Sequence, residues 1–115
     1  KIEMLQNASA LIVPSVFSEP FGLIVPEANF CGTPVIAYAK GGLQETTRQG
    51  VTGSICHTFG EMVEAAREVG TAPQGAGQWM RPRDCRSWAE EHFTLERMVS
   101  RYLDLYEDVF AGRLW

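Results

Sequence analysis

The chain has 115 residues, 45% hydrophobic and 21% charged, with a formal net charge of -4; a chain this long buries roughly two thirds of its unfolded surface, and this composition excludes disorder throughout. The acidic balance, without a stripe of Lys or Arg, excludes a nucleic-acid partner. No apolar run approaches the length of a bilayer span, and no signal-like n-region and h-region opens the chain.

Residues 1–6 read as helix, so the chain is expected to begin inside an element, as a piece of a longer protein does. Three apolar runs rich in β-branched residues then recur about twenty residues apart: Leu11-Ile-Val13, Pro34-Val-Ile-Ala37 and Gly53-Ser-Ile-Cys56. Each is continuous, not alternating, which predicts strands of a parallel sheet covered on both faces. Between the first two, residues 21–31 predict a helix starting near Leu23 to Val25. Pro26 then falls in its first turn, where the missing N–H costs no bond; Gly32 supplies a left-handed cap and Pro34 a stop. Gly41-Gly42 opens the next loop, where glycines serve positive φ, residues 43–48 form a short helix that Glu45 is expected to cap or brace, and Gln49-Gly-Val-Thr-Gly53 is a turn. The outline is βαβαβ over residues 1–57.

Residues 58–115 read as helical. Thr58-Phe-Gly-Glu61 matches a capping box, and Met62, Val63, Ala66 and Val69 keep one face of the helix it opens. Gly70-Thr-Ala-Pro73 is expected to end that helix, and Gln74-Gly-Ala-Gly77 is expected to be a flexible break. Residues 82–92 predict a helix with Trp88 on its buried side. Thr94 caps a long one running to about Phe110, whose apolar residues, from Leu95 and Met98 through Tyr102, Leu103 and Tyr106 to Phe110, suit a core or an interface. Cys31, Cys56 and Cys85 have no ligand spacing and read as reduced, buried thiols of a cytoplasmic protein; His57 and His92, each without a second ligand nearby in sequence, read as ordinary surface or satisfied histidines.

The candidate site lies between the first strand and the first helix. The amides of Phe21, Gly22 and Leu23 would point out of a helix start at the carboxyl end of a parallel strand, where open α/β sheets take ligands and where an anion such as phosphate is favoured. Glu19 precedes that start and Glu27, eight positions on, lies one turn into the helix. Alone, such a pair could simply complement the helix dipole, at roughly 0.3–1 kcal/mol each. Beside an anion site, two acceptors for hydroxyls suit a nucleotide-sugar.

The whole string carries more. Glu19-Pro-Phe-Gly-Leu-Ile-Val-Pro-Glu27, followed by Ala28, Cys31-Gly-Thr-Pro-Val-Ile-Ala37, Gly41-Gly42 and Glu45 and preceded by a strand ending in Pro14-Ser15, closely resembles the C-terminal, donor-binding domain of retaining GT-B glycosyltransferases, the glycosyltransferase family 4 or "group 1" family. The resemblance has motif strength from about Pro14 to Gly53 and is looser through Phe93 to the last helix. It implies that the Glu-x7-Glu signature falls on Glu19 and Glu27, with Glu19 the catalytic-site residue near the anomeric carbon and a ring hydroxyl, and Glu27 accepting from the nucleotide ribose. The amides of Phe21, Gly22 and Leu23 would hold sugar hydroxyls and the diphosphate. It implies sugar transfer from a nucleotide-sugar with retention, without a metal or other cofactor, the leaving phosphate helping to deprotonate the acceptor, so that no carboxylate need be the nucleophile.

The resemblance also implies an acceptor-binding N-terminal domain and, in the donor domain, a Gly-rich opening and an Arg-x4-Lys pair, none of which this sequence contains. The fold expected is therefore α/β: a partial Rossmann-like parallel sheet of about three strands, flanked by helices, with a long C-terminal helix. By itself such a half-domain should be catalytically inert. Its open central strand or its last helix, ending in Leu114-Trp115, would favour a homodimer of the chain, and the resemblance is compatible with peripheral membrane association of the longer protein. Two other readings stand beside it: a non-catalytic nucleotide- or sugar-phosphate-binding module, and a remnant that binds nothing.

Overall fold

The computed structural model describes residues 1–71 and 80–114. In chain order the elements are α1 (Ile2–Asn7), β1 (Leu11–Val13), α2 (Ile24–Phe30), β2 (Val35–Tyr38), α3 (Leu43–Thr46), β3 (Gly53–Cys56), α4 (Phe59–Thr71), α5 (Pro82–His92) and α6 (Leu95–Phe110). The three strands form one parallel sheet in the order β1-β2-β3, with Leu11 opposite Val35 and Val35 opposite Gly53.

Continuous apolar sequence is fully explained only at β2. Val35 and Ala37 face one layer with Leu5, Val13, Val25, Ala28 and Leu43, from α1, β1, α2 and α3. Ile36 faces the other with Cys56, Met62 and Ala65, from β3 and α4. At β1 the expectation of two covered faces fails. Ile12 pairs with Ile36 in register and shares its face, yet it is 49% exposed, because α4 packs on β2 and β3 and stops short of this edge.

α2 ends as the Cys31-Gly-Thr-Pro run requires. Gly32 takes φ 82°, its amide donates to the Asn29 carbonyl at 2.8 Å, and the Thr33 amide donates to Ala28 at 2.9 Å, the two bonds of a Schellman cap. Pro26 sits in the first turn, buried. Beyond the cap, the Thr33 hydroxyl donates to the Leu5 carbonyl, and buried Asn29 donates through Nδ2 to the carbonyls of Thr33 at 3.1 Å and Thr52 at 3.4 Å, joining α1, α2 and the approaches to β2 and β3.

The capping box at α4 forms with a shift. The Glu61 amide donates to Thr58 Oγ1 at 3.2 Å, but the Glu61 carboxylate accepts from the His57 amide at 2.7 Å, one residue before the cap. α4 is described as far as Thr71, inside the Gly70–Pro73 segment expected to end it; the rest of that segment and the break at residues 74–77 lie outside the described residues. α5 packs on α2, Cys85 and Ala89 are fully buried, and Arg86 donates to the Phe30 and Cys31 carbonyls at α2's end. Burial pushes the Cys85 thiol up to about 11, with the Asp84 carboxylate adding to it; desolvation likewise raises Cys56. Cys31 is only half-buried, and all three thiols are free.

His92 is a satisfied histidine: its ring stacks on Trp88 at 3.6 Å between centroids, and its Nδ1 lies 2.9 Å from the Trp88 carbonyl oxygen. Trp88 is half-buried between this ring and the Arg48 guanidinium, 5.0 Å from the ring centre. Glu45 lies exposed on α3 and makes no side-chain bond among the described residues, so it neither caps nor braces it. The apolar stripe of α6, expected to suit a core or an interface, joins no core among the described residues: α6 buries no residue, and Leu95, Tyr102, Leu103 and Tyr106 are all more than half exposed. Thr94 caps it as expected, accepting from the Arg97 amide at 3.2 Å. Among the described residues no helix is long and apolar enough to cross a membrane.

Candidate functional site

The loops that leave β1 and β2 at their carboxyl ends are stitched together, and the stitch is at Glu19. Its main chain forms a parallel bridge with Gly41, and its carbonyl accepts from the Gly42 amide at 2.7 Å. The Gly-Gly pair is needed for this approach. Gly41 has φ 55°, and a Cβ there would run into the Glu19 main chain; Gly42 has an ordinary φ of -62°, but a Cβ would lie 2.6 Å from the Pro20 carbonyl oxygen. One glycine thus serves positive φ as expected, and both serve to bring the chain against residues 19–21.

The Glu19 side chain is half-buried, and its Oε1 accepts from the Ser15 hydroxyl at 3.0 Å. Phe21, Gly22 and Leu23 follow after Pro20. Their amides find no acceptor in the protein among the described residues. The loop is held from beneath by Leu43, whose methyl packs under Gly22, and by the Thr46 hydroxyl, which donates to the Phe21 carbonyl at 3.3 Å. Phe21 also meets Phe93 edge to face, with ring centroids 5.9 Å apart.

Glu27 belongs to a different neighbourhood. Its Oε2 lies 2.6 Å from Lys1 Nζ, the residue that opens α1, and both side chains are substantially exposed. Where sequence reading has both glutamates lean into one crevice, the structure gives each its own partner: Ser15 for Glu19 and Lys1 for Glu27. Neither partner is signalled by spacing. Ser15 and Glu19 lie in a loop, where four residues have no fixed meaning, and Lys1 and Glu27 meet only through the packing of α1 on α2's side of the sheet.

Phe21 and Leu23 also form one wall of an open cavity of about 690 Å³, whose other walls are Pro26, Phe93, Met98 and Tyr102, with His92 and Arg101 among its polar lining. Among the described residues no group of three or more His, Cys, Asp or Glu side chains is placed to hold a metal ion.

The chain was compared with known proteins. A family model described as Glycosyl transferases group 1 matches residues 1–73. Among similar proteins, the D-inositol 3-phosphate glycosyltransferase of Mycobacterium leprae (strain Br4923) is 44% identical over 68 residues, 57% of this chain and 16% of that protein. The protein of the same name from Mycobacterium tuberculosis (strain F11) is 44% identical over 64 residues, 54% of this chain and 13% of that protein. Among solved structures, the sucrose-phosphate synthase of Thermosynechococcus elongatus superposes with a TM-score of 0.73 at 34% identity, covering 91% of this chain and 26% of that one. The chain thus spans between 13% and 26% of the length of these relatives. With the matched segment running through every element from α1 to α4, the chain belongs to the glycosyl transferases group 1 family.

Proposed function

We propose that this chain is the C-terminal half of the donor-binding domain of a retaining glycosyltransferase, which transfers a sugar from a nucleotide-sugar to an acceptor held by an N-terminal domain. The observation that carries the reading is the junction at Glu19. A carboxylate fixed where the loops after two adjacent parallel strands meet, followed by three amides without protein acceptors, suits a ligand with hydroxyls and a diphosphate. In this reading Glu19 faces the donor sugar, and the Phe21, Gly22 and Leu23 amides take sugar hydroxyls and phosphate oxygens. Glu27 accepts from the ribose, for which it must share its carboxylate with Lys1 or release it. No metal takes part, and the 115 residues alone do not catalyse transfer.

The test is release of nucleoside diphosphate from UDP-, GDP-, ADP- and TDP-glucose, with the anomeric configuration of the sugar product followed by NMR. The protein expressed from its complete reading frame is expected to turn over one of these with retention, and the 115-residue chain none. An inverted product would overturn retention, and turnover by the purified chain would overturn its inertness. Binding without turnover by the complete protein would favour a non-catalytic binding module.

A further inference from the structure

Glu19 is gripped at two levels. Its main chain bridges to Gly41 and its carbonyl accepts from the Gly42 amide, and its side chain accepts from Ser15, which stands two residues beyond β1 and is itself half-buried. Among the described residues no cation pairs with Glu19. The orientation of its carboxylate therefore depends on one hydroxyl. With Oε1 committed to Ser15, Oε2 is the oxygen left to accept a bond from a ligand hydroxyl or to face a developing positive charge. A glutamate side chain has three free rotors, and ordering them only when a ligand arrives opposes both binding and reaction.

We propose that Ser15 is a positioning residue for Glu19: its hydroxyl fixes the carboxylate in the orientation used toward the donor sugar before the donor arrives. The proposal rests on the reading of Glu19 given above and adds to it a residue that touches no reacting atom. Serine suits the task because its side chain is short and loses little freedom on being held. A hydrogen bond to an ionised acceptor is also among the stronger ones a side chain can make.

The experiment is a double-mutant cycle of Ser15→Ala and Glu19→Ala, with Ser15→Thr as the conservative variant. Turnover is read as nucleoside diphosphate released from UDP-, GDP-, ADP- and TDP-glucose by the protein from its complete reading frame. Stability is read by urea unfolding of the 115-residue chain. Ser15→Ala is expected to lower kcat about 10-fold while the donor KM stays within about two-fold. Ser15→Thr is expected to recover most of the loss. In the Glu19→Ala background Ser15→Ala should cost nothing further in turnover, and the two changes should also be non-additive in urea.

An equal loss in that background, or no recovery with threonine, overturns the proposal, because the serine then acts elsewhere. If Glu19→Ala removes turnover and Ser15→Ala does not change it, the reading of Glu19 stands and the positioning role falls. If Glu19→Ala leaves turnover intact while the coupling in urea persists, the reading of Glu19 has failed, and the serine orders a side chain with no part in transfer.

Discussion

Phe21 and Phe93 meet at 85°, the edge of one ring on the face of the other, so the loop at the carboxyl end of β1 is joined to the turn between α5 and α6. Phe93 reaches in turn toward Trp88, 6.4 Å away between centroids. Phe93→Ala removes both contacts from a half-buried position and is expected to lower stability by about 2 kcal/mol in urea unfolding of the chain, with Phe93→Leu costing less than half of that.

Two glycines with similar backbones separate strain from collision. Gly41 and Gly50 both have positive φ, but a Cβ at Gly41 meets the Glu19 main chain, whereas at Gly50 it meets nothing. Gly50→Ala should cost about 1 kcal/mol, the conformational penalty alone. Gly41→Ala should cost about 3 kcal/mol or more, since the main chain must separate from Glu19. Equal losses in urea would show that the two loops part readily.

The Cys85 thiol has its folded value raised from 9.0 to about 11. The unfolded chain therefore releases this proton first as pH rises. The associated stability is complete below about pH 9 and is lost as pH climbs through about 11, of order 2 kcal/mol in all. Cys56 shifts in the same direction and adds to the loss. Urea midpoints from pH 8 to 11 should fall for the unmodified chain and fall less steeply for Cys85→Ala.

Because α6 buries no residue, its folded state draws on its Thr94 cap and on contacts within the helix. Its amides are expected to exchange with deuterium at least about 100-fold faster than those of β2, whose residues Val35, Ile36 and Ala37 are fully buried. Thr94→Ala, worth about 1 kcal/mol at a cap, should widen that gap without changing exchange at β2.

What could be read from sequence follows how local each cause is. The end of α2 was legible because a cap is written in adjacent residues, Cys31-Gly-Thr-Pro. β2 was legible because both its faces are covered, so alternation vanishes. Ile12 reads the same way yet is half exposed, because the reach of α4 across the sheet depends on packing and leaves no mark near β1. α6 shows the limit of the same signal: its stripe is as regular as a buried one, and periodicity says only that a face is apolar, not what covers it. At the site, Glu19, Glu27 and the intervening loop were marked by the motif, whereas Ser15 and Lys1 became visible only with the side chains in place.

The stitch between Glu19 and the Gly41-Gly42 turn means that the two loops are one body. Neither can swing aside alone without breaking its main-chain contact with the other, so this part of the rim moves as one piece. A molecule arriving there meets a surface whose two halves were joined during folding, and the cost of ordering one against the other is not charged to its binding.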